Sequence, residues 1–244
     1  MADQPRHGEL REVLPGVFFV TGEIKMAGPI RFSRNMVVVR EGAELVIVNS
    51  IRLDDAGLAA LDKLGKVTHV LRLAGFHGRD DAFYNARYGA RVSTVKGQIY
   101  ARGFKQNPAD VYFRADAELD ASSPLPITGA RLHVIHSAPP EGILLLDVAG
   151  GTLISGDALQ NWARPDEYFS WVGKTMMRMM GFIKPHNVGP GWLKQAKPPA
   201  AEVAALSELA FANVLPAHGE PVLGNARALY QPSIAKAAKL RSTS

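Results

Sequence analysis

Ile154-Ser155-Gly156-Asp157-Ala158-Leu159 and Leu215-Pro216-Ala217-His218-Gly219-Glu220-Pro221 share one design. In each, a short apolar strand ends on a single ionisable residue, and small or turn-forming residues follow. Leu132-His133-Val134-Ile135-His136, continued by Ser137-Ala138-Pro139-Pro140-Glu141-Gly142, repeats the design. Side chains at strand ends along one rim can converge on a common point. Two imidazoles and a carboxylate offer nitrogen and oxygen ligands, which suit Zn, Fe or Mn.

Working outward, these strands fall into two similar halves. In the first half, strands at Leu10–Val13 and Val17–Thr21 flank a turn at Pro15-Gly16. Asn35–Arg40 and Glu44–Asn49 flank Glu41-Gly42-Ala43, which is hairpin chemistry. Asp54–Leu64 reads as a helix capped by Asp54, Val67–Leu73 as a strand, Asp80–Tyr88 as a helix stopped by Gly89, and Arg91–Val95 as a strand. In the second half, Arg131–His136, Gly142–Asp147 and Gly151–Ser155 are consecutive strands, with Gly150-Gly151 as a tight turn. Pro199–Asn213 reads as a helix, Val214-Leu215 as a strand, and Asn225–Leu240 as a helix interrupted near Pro232. Ala121–Ala130 links the halves. Two sheets face to face with helices outside would bury every apolar face.

The chain has 244 residues, 47% hydrophobic and 21% charged, an ordinary globular composition. That length is read as one domain over residues 1–244, with 221–244 as a basic C-terminal helix or tail of the same domain. No uncharged run approaches the ~18 apolar residues of a membrane helix. Met1–Val13 is too charged for a signal peptide. There are no cysteines, which excludes disulfides and thiolate ligands and agrees with a cytoplasmic setting. The net charge is +5, and Arg227, Lys236, Lys239 and Arg241 supply four of those charges. A basic helix without a reading element does not make a nucleic-acid binder.

The quoted segments resemble the metallo-β-lactamase superfamily. Ile135–Gly142 is similar to its Gly-His-Thr-Pro-Gly-Ser loop, Ile154–Leu159 to its bridging-aspartate motif, and Leu215–Pro221 to its last histidine motif. The resemblance covers Pro15 to Leu229. It implies an α+β fold, a four-layer αββα sandwich of two mixed sheets with helices outside and a metal site between the sheet edges. It also implies a metal-dependent hydrolase of a small ester, thioester, lactone or phosphoester.

The departure lies at the family's His-x-His-x-Asp-His motif, where this chain reads Gly75-Phe76-His77-Gly78-Arg79-Asp80-Asp81. Placing His77 at the second histidine puts Gly75 at the first, Arg79 at the aspartate and Asp80 at the last histidine. A second register puts His77 at the first histidine and Asp81 at the aspartate. In the preferred first register, His77, His136, Asp157 and His218 are the expected metal ligands, and Arg79 and Asp80 are the expected catalytic residues. A guanidinium at Arg79 would repel a dication by about 8 kcal/mol at 4 Å in an effective dielectric of 20. One divalent ion is therefore expected, Zn foremost, with Fe or Mn as alternatives. Arg79 would take the second position and present a donor fork to an anionic substrate. Loss of the usual aspartate supports a second reading, a degenerate, non-catalytic protein that binds a ligand or partner, with or without metal.

Tyr168–Lys184 holds four of the seven methionines, with Lys174, Arg178 and Lys184 among them. It reads as a helix that packs on the sandwich and walls an apolar substrate pocket. A homodimer contact and an interfacial membrane helix are the other readings. Gly189-Pro190-Gly191-Trp192 reads as a loop folded back over the site.

Overall fold

A computed structural model describes residues 5–26 and 28–243. The first half contains β1 (Arg11–Leu14), β2 (Val17–Lys25), β3 (Arg31–Glu41), β4 (Glu44–Val48), α1 (Asp55–Leu64), β5 (Lys66–Arg72), α2 (Asp81–Tyr88) and β6 (Arg91–Val95). It continues with a small hairpin of β7 (Tyr100–Ala101) and β8 (Val111–Phe113), then β9 (Ala117–Leu119). The second half contains β10 (Arg131–Ile135), β11 (Glu141–Leu146), β12 (Thr152–Ser155), β13 (Leu159–Gln160), α3 (Trp171–Met179), β14 (Asn187–Val188), α4 (Pro190–Gln195), α5 (Ala200–Ala205), β15 (Asn213–Pro216) and α6 (Ala226–Ser242).

Strand side chains alternate between faces, and here both faces are apolar. Phe18, Val20, Met36, Val38, Leu45 and Ile47 turn to one side and pack with Leu58 and Leu61 of α1 and Tyr84 of α2. Their neighbours Val17, Phe19, Val37, Val39, Val46 and Val48 turn to the other side and meet Leu132, Leu144, Leu146, Ile154 and Leu215 of the second half. Ile143, Leu145, Leu153 and Val214 face outward again, onto Trp192, Val203, Tyr230 and Ile234 of α4 to α6. Sheets apolar on both faces need cover on both faces, which is the four-layer αββα sandwich.

The first sheet runs β1-β2-β3-β4-β5-β6-β9, and the second β10-β11-β12-β15. Both are mixed: β1 to β4 are antiparallel and β4-β5-β6-β9 parallel, while β10 to β12 are antiparallel and β12-β15 parallel. The sheets touch through backbone at one rim. Ala74 bridges Glu141, Gly142 N donates to Leu73 O at 2.9 Å, and Asn35 N donates to Ala217 O at 2.8 Å.

Three elements differ from the sequence reading. The expected helix Pro199–Asn213 stops at Ala205, because residues 209–212 must turn toward Gly151 before β15, with Ala212 N donating to Gly151 O at 2.9 Å. The last helix is continuous through Pro232, held by buried Tyr230 on one side and Ile234 and Ala237 on the other. Gly189–Trp192 starts a short helix whose Trp192 is buried in the outer core, so it is a packing element rather than a flap.

Candidate metal centre

Three residues converge where the rims meet. His77 follows β5 in a tight turn, with His77 N donating to Ala74 O at 3.0 Å. Asp157 follows β12, and His218 follows β15. His77 Nε2 lies 3.3 Å from Asp157 Oδ1 and 3.2 Å from His218 Nε2, and His218 Nε2 lies 3.1 Å from the same Oδ1. Ligands bound tetrahedrally at 2.0–2.1 Å sit about 3.3 Å apart, so this triangle has the size of a metal's ligand face. All three residues are buried.

Proton bookkeeping argues for a cation at the centre of this face. His218 Nδ1 lies 3.3 Å from the Ser33 carbonyl, an acceptor that favours the neutral tautomer with its proton on Nδ1 and a lone pair on Nε2. That lone pair faces a carboxylate oxygen. Burial pushes the Asp157 carboxyl up, but the imidazoles of His77 and His218 outweigh it and hold Asp157 below its ordinary range. Burial also pushes His77 down to about 4, so its ring is neutral at pH 7. A proton on its Nε2 serves one acceptor only, and a proton on Nδ1 meets nothing, since that atom is buried without a partner. A divalent cation satisfies all three lone pairs at once, so the donor set fits a metal.

The surroundings were not legible in the sequence. Trp162 and Phe32 stand 4.7 and 6.3 Å from the His218 ring, and Trp162 Nε1 donates to Ser33 Oγ at 2.9 Å. Asn35 Nδ2 donates to Pro216 O at 2.9 Å and to Gly219 O at 2.6 Å, clamping the His218 loop onto β3. Glu141, fully inside, accepts from Ala158 N at 2.7 Å, and burial plus the nearby Asp157 charge raise its carboxyl well above the ordinary range. The longer β3, entered at Arg31 rather than Asn35, carries Phe32, Ser33 and Asn35. The only sequence signal was the polar run Ser33-Arg34-Asn35, and one sequence cannot separate that pattern from a solvated strand end.

His136, Arg79 and Asp80 do not join the triangle. The His136 side chain is 75% exposed and paired to Glu202 at 3.1 Å, while its backbone N donates to the same carboxylate at 2.6 Å. Glu202 of α5 thus draws His136 to the outer layer. Pro139 of the same loop packs against Gly75, where a Cβ would meet its Cγ at 2.2 Å. Arg79 points outward and donates to Lys25 O at 2.8 Å, so it does not occupy a second metal position. Asp80 precedes α2 and pairs with buried Arg34 at 2.9 Å. Asp81, the aspartate of the second register, is enclosed instead by Ser50 and Tyr100, whose hydroxyls donate to it at 2.5 and 2.6 Å.

Among solved structures the chain is similar to VMB-1, at 13% identity and a TM-score of 0.65 with all of both chains covered. It is also similar to the metallo-β-lactamase from Hirschia baltica, at 15% identity, a TM-score of 0.60, and 97% of this chain and 98% of that chain covered. FIM-1 from Pseudomonas aeruginosa, in a mono-zinc form, matches at 13% identity and a TM-score of 0.60, covering 97% of this chain and 99% of that chain. The chain has the metallo-β-lactamase fold. No protein-family model matches it, and no curated protein matches its sequence. Within this fold the chain carries a His77/Asp157/His218 group that could hold a metal ion. No helix among the described residues is long and apolar enough to cross a membrane.

Proposed function

We propose that the protein is a metal-dependent hydrolase of a small ester, thioester, lactone or phosphoester, working with one divalent ion, Zn foremost. The observation that carries this reading is the buried triangle of Nε2, Nε2 and Oδ1 atoms 3.1–3.3 Å apart. When bound, such an ion supplies Lewis acidity and lowers the pKa of water toward about 7. His77 and His218 hold their Nε2 lone pairs inward, and Asp157 supplies the neutralising charge. The Ser33 carbonyl fixes the tautomer of His218. Phe32 and Trp162 exclude water from one side of the imidazole. The mono-zinc form of FIM-1 is a precedent for one metal on this fold.

The test is elemental analysis of protein purified without added metal, then assays of ester, thioester, lactone and phosphodiester panels on apo and reloaded protein. One equivalent of metal and activity that returns on reloading are expected. Two equivalents surviving dialysis, or metal-independent turnover, would sink the reading.

One observation favours a second reading, a non-catalytic binding protein. The triangle is deeply buried, with side-chain exposures of only 6–12%, and Arg79 and Asp80 stand away from it. Full metal occupancy with no turnover on any panel would select that reading.

A further inference from the structure

Helix α3 presents two unlike faces. Its inner face is locked. Ser170 caps it by accepting from Gly173 N at 3.1 Å, and a Cβ on Gly173 would meet Arg31 O at 2.2 Å. Met177 is buried with Phe32, Trp162 and Phe169. The helix therefore cannot roll to hide its other side. On that side Trp171 is 78% exposed and Met179 84%, and Met180, in the turn that ends the helix, is 51% exposed. Trp171 and Met179 lie eight residues apart, about 12 Å along the axis.

Charge decides what covers such a face. From Tyr168 to His186 the chain carries Lys174, Arg178 and Lys184 and no acidic residue. None of the three enters an ion pair among the described residues. Lys174 and Arg178 are four apart, so they repel each other on adjacent turns unless an anion lies over them. Trp171, Arg178 and Met179 share the exposed side of the helix, and Lys184 follows beyond its end. Lys174 is half-buried at its flank, beside a cleft that also holds Asp166, Glu167 and Glu220. Exposed Trp and Met beside cations form the pattern of a helix that lies in a bilayer surface. A second copy of this face would set three cations against three cations, and an apolar partner would leave them unpaired.

We propose that α3 and the turn after it dock the protein onto an anionic lipid bilayer, with Trp171, Met179 and Met180 entering the interface and Lys174, Arg178 and Lys184 meeting headgroup charge. This inference stands apart from the metal centre.

Trp171 is its own reporter, because the other tryptophans, Trp162 and Trp192, are only 1% and 2% exposed. The full chain is titrated with vesicles of equimolar phosphatidylcholine and phosphatidylglycerol, and with phosphatidylcholine alone, while emission and acrylamide quenching are followed. A blue shift and protection from quenching on the anionic vesicles only, reversed by salt, are expected. Lys174→Gln with Arg178→Gln should weaken partitioning about thirtyfold, each cation counting for about fivefold. Trp171→Phe should erase the emission change while co-sedimentation persists. Trp171 and Arg178 are exposed and Lys174 is half-buried, and unchanged melting confirms that the variants fold. No protection on anionic vesicles, or equal binding to neutral ones, overturns the proposal. So does a Trp171 already shielded without lipid in a species that sediments as a dimer.

Discussion

At the residue scale, the triangle of His77, Asp157 and His218 separates residues that look alike in the sequence. His77, Asp157 and His218 are buried in mutual contact, whereas His136 is exposed and held by Glu202. Alanine at any of the first three should cut metal affinity by at least about tenfold, while His136→Ala and Arg79→Ala should leave stoichiometry unchanged. Elemental analysis after dialysis checks this, and loss of metal in His136→Ala would be the damaging result. Glu141 gives a pH prediction. Below its ordinary carboxyl range the group is protonated in both the folded and unfolded chain and contributes no pH dependence. Above that range the unfolded chain releases the proton while the folded chain keeps it, since burial and then Asp157 raise the folded value. This contribution therefore lowers stability as pH rises. Glu141→Gln can still accept from Ala158 N, so its melting temperature should exceed wild type by a margin that grows from pH 4.5 to pH 7. A margin that shrinks over that range would show Glu141 to be ionised inside the fold.

At the element scale, β3 is the strand that organises the site. Ser33 orients His218, Asn35 holds the loop carrying it, and Phe32 walls the ring. Removing the Asn35 amide leaves two carbonyls, those of Pro216 and Gly219, without their donor. Asn35→Ala should cost about 2–4 kcal/mol in chemical denaturation. It should also weaken metal binding by about tenfold, because the His218 ring loses its anchor. Unchanged affinity alongside the stability loss would confine Asn35 to a packing role. The four basic residues of the last helix read as a solvated face. Two of them are tied to backbone, Arg227 to Ser207 O at 2.8 Å and Arg241 to Pro198 O at 3.0 Å.

At the scale of the whole molecule, the site spans the sandwich. His77 comes from the end of the first sheet, and Asp157 and His218 from the second. A metal bound here would crosslink the two halves and bind only the folded chain. At a hundredfold excess over Kd it adds about 2.7 kcal/mol, or about 5–10 °C in Tm for a chain of this size. A chelator should remove that shift, and His77→Ala should abolish it. A Tm indifferent to chelator would mean that the triangle is held by hydrogen bonds alone.

Continuous apolar runs such as Val37-Val38-Val39 and Leu45-Val46-Ile47 are buried on both faces, and a sheet with helices in each half already pointed to two sheets packed face to face. The strand-end positions of Asp157 and His218 were equally plain, because an ionisable residue after an apolar strand must sit at a rim. His136 has the same local signature and ends elsewhere. Its fate depends on Glu202, 66 residues away. Arg79 likewise answers to Lys25 O, and Asp80 to Arg34 on another strand. Local sequence sets which face of an element a side chain leaves from. Which partner it reaches is decided by long-range packing, through competition for space and for hydrogen bonds that only the assembled sheets create.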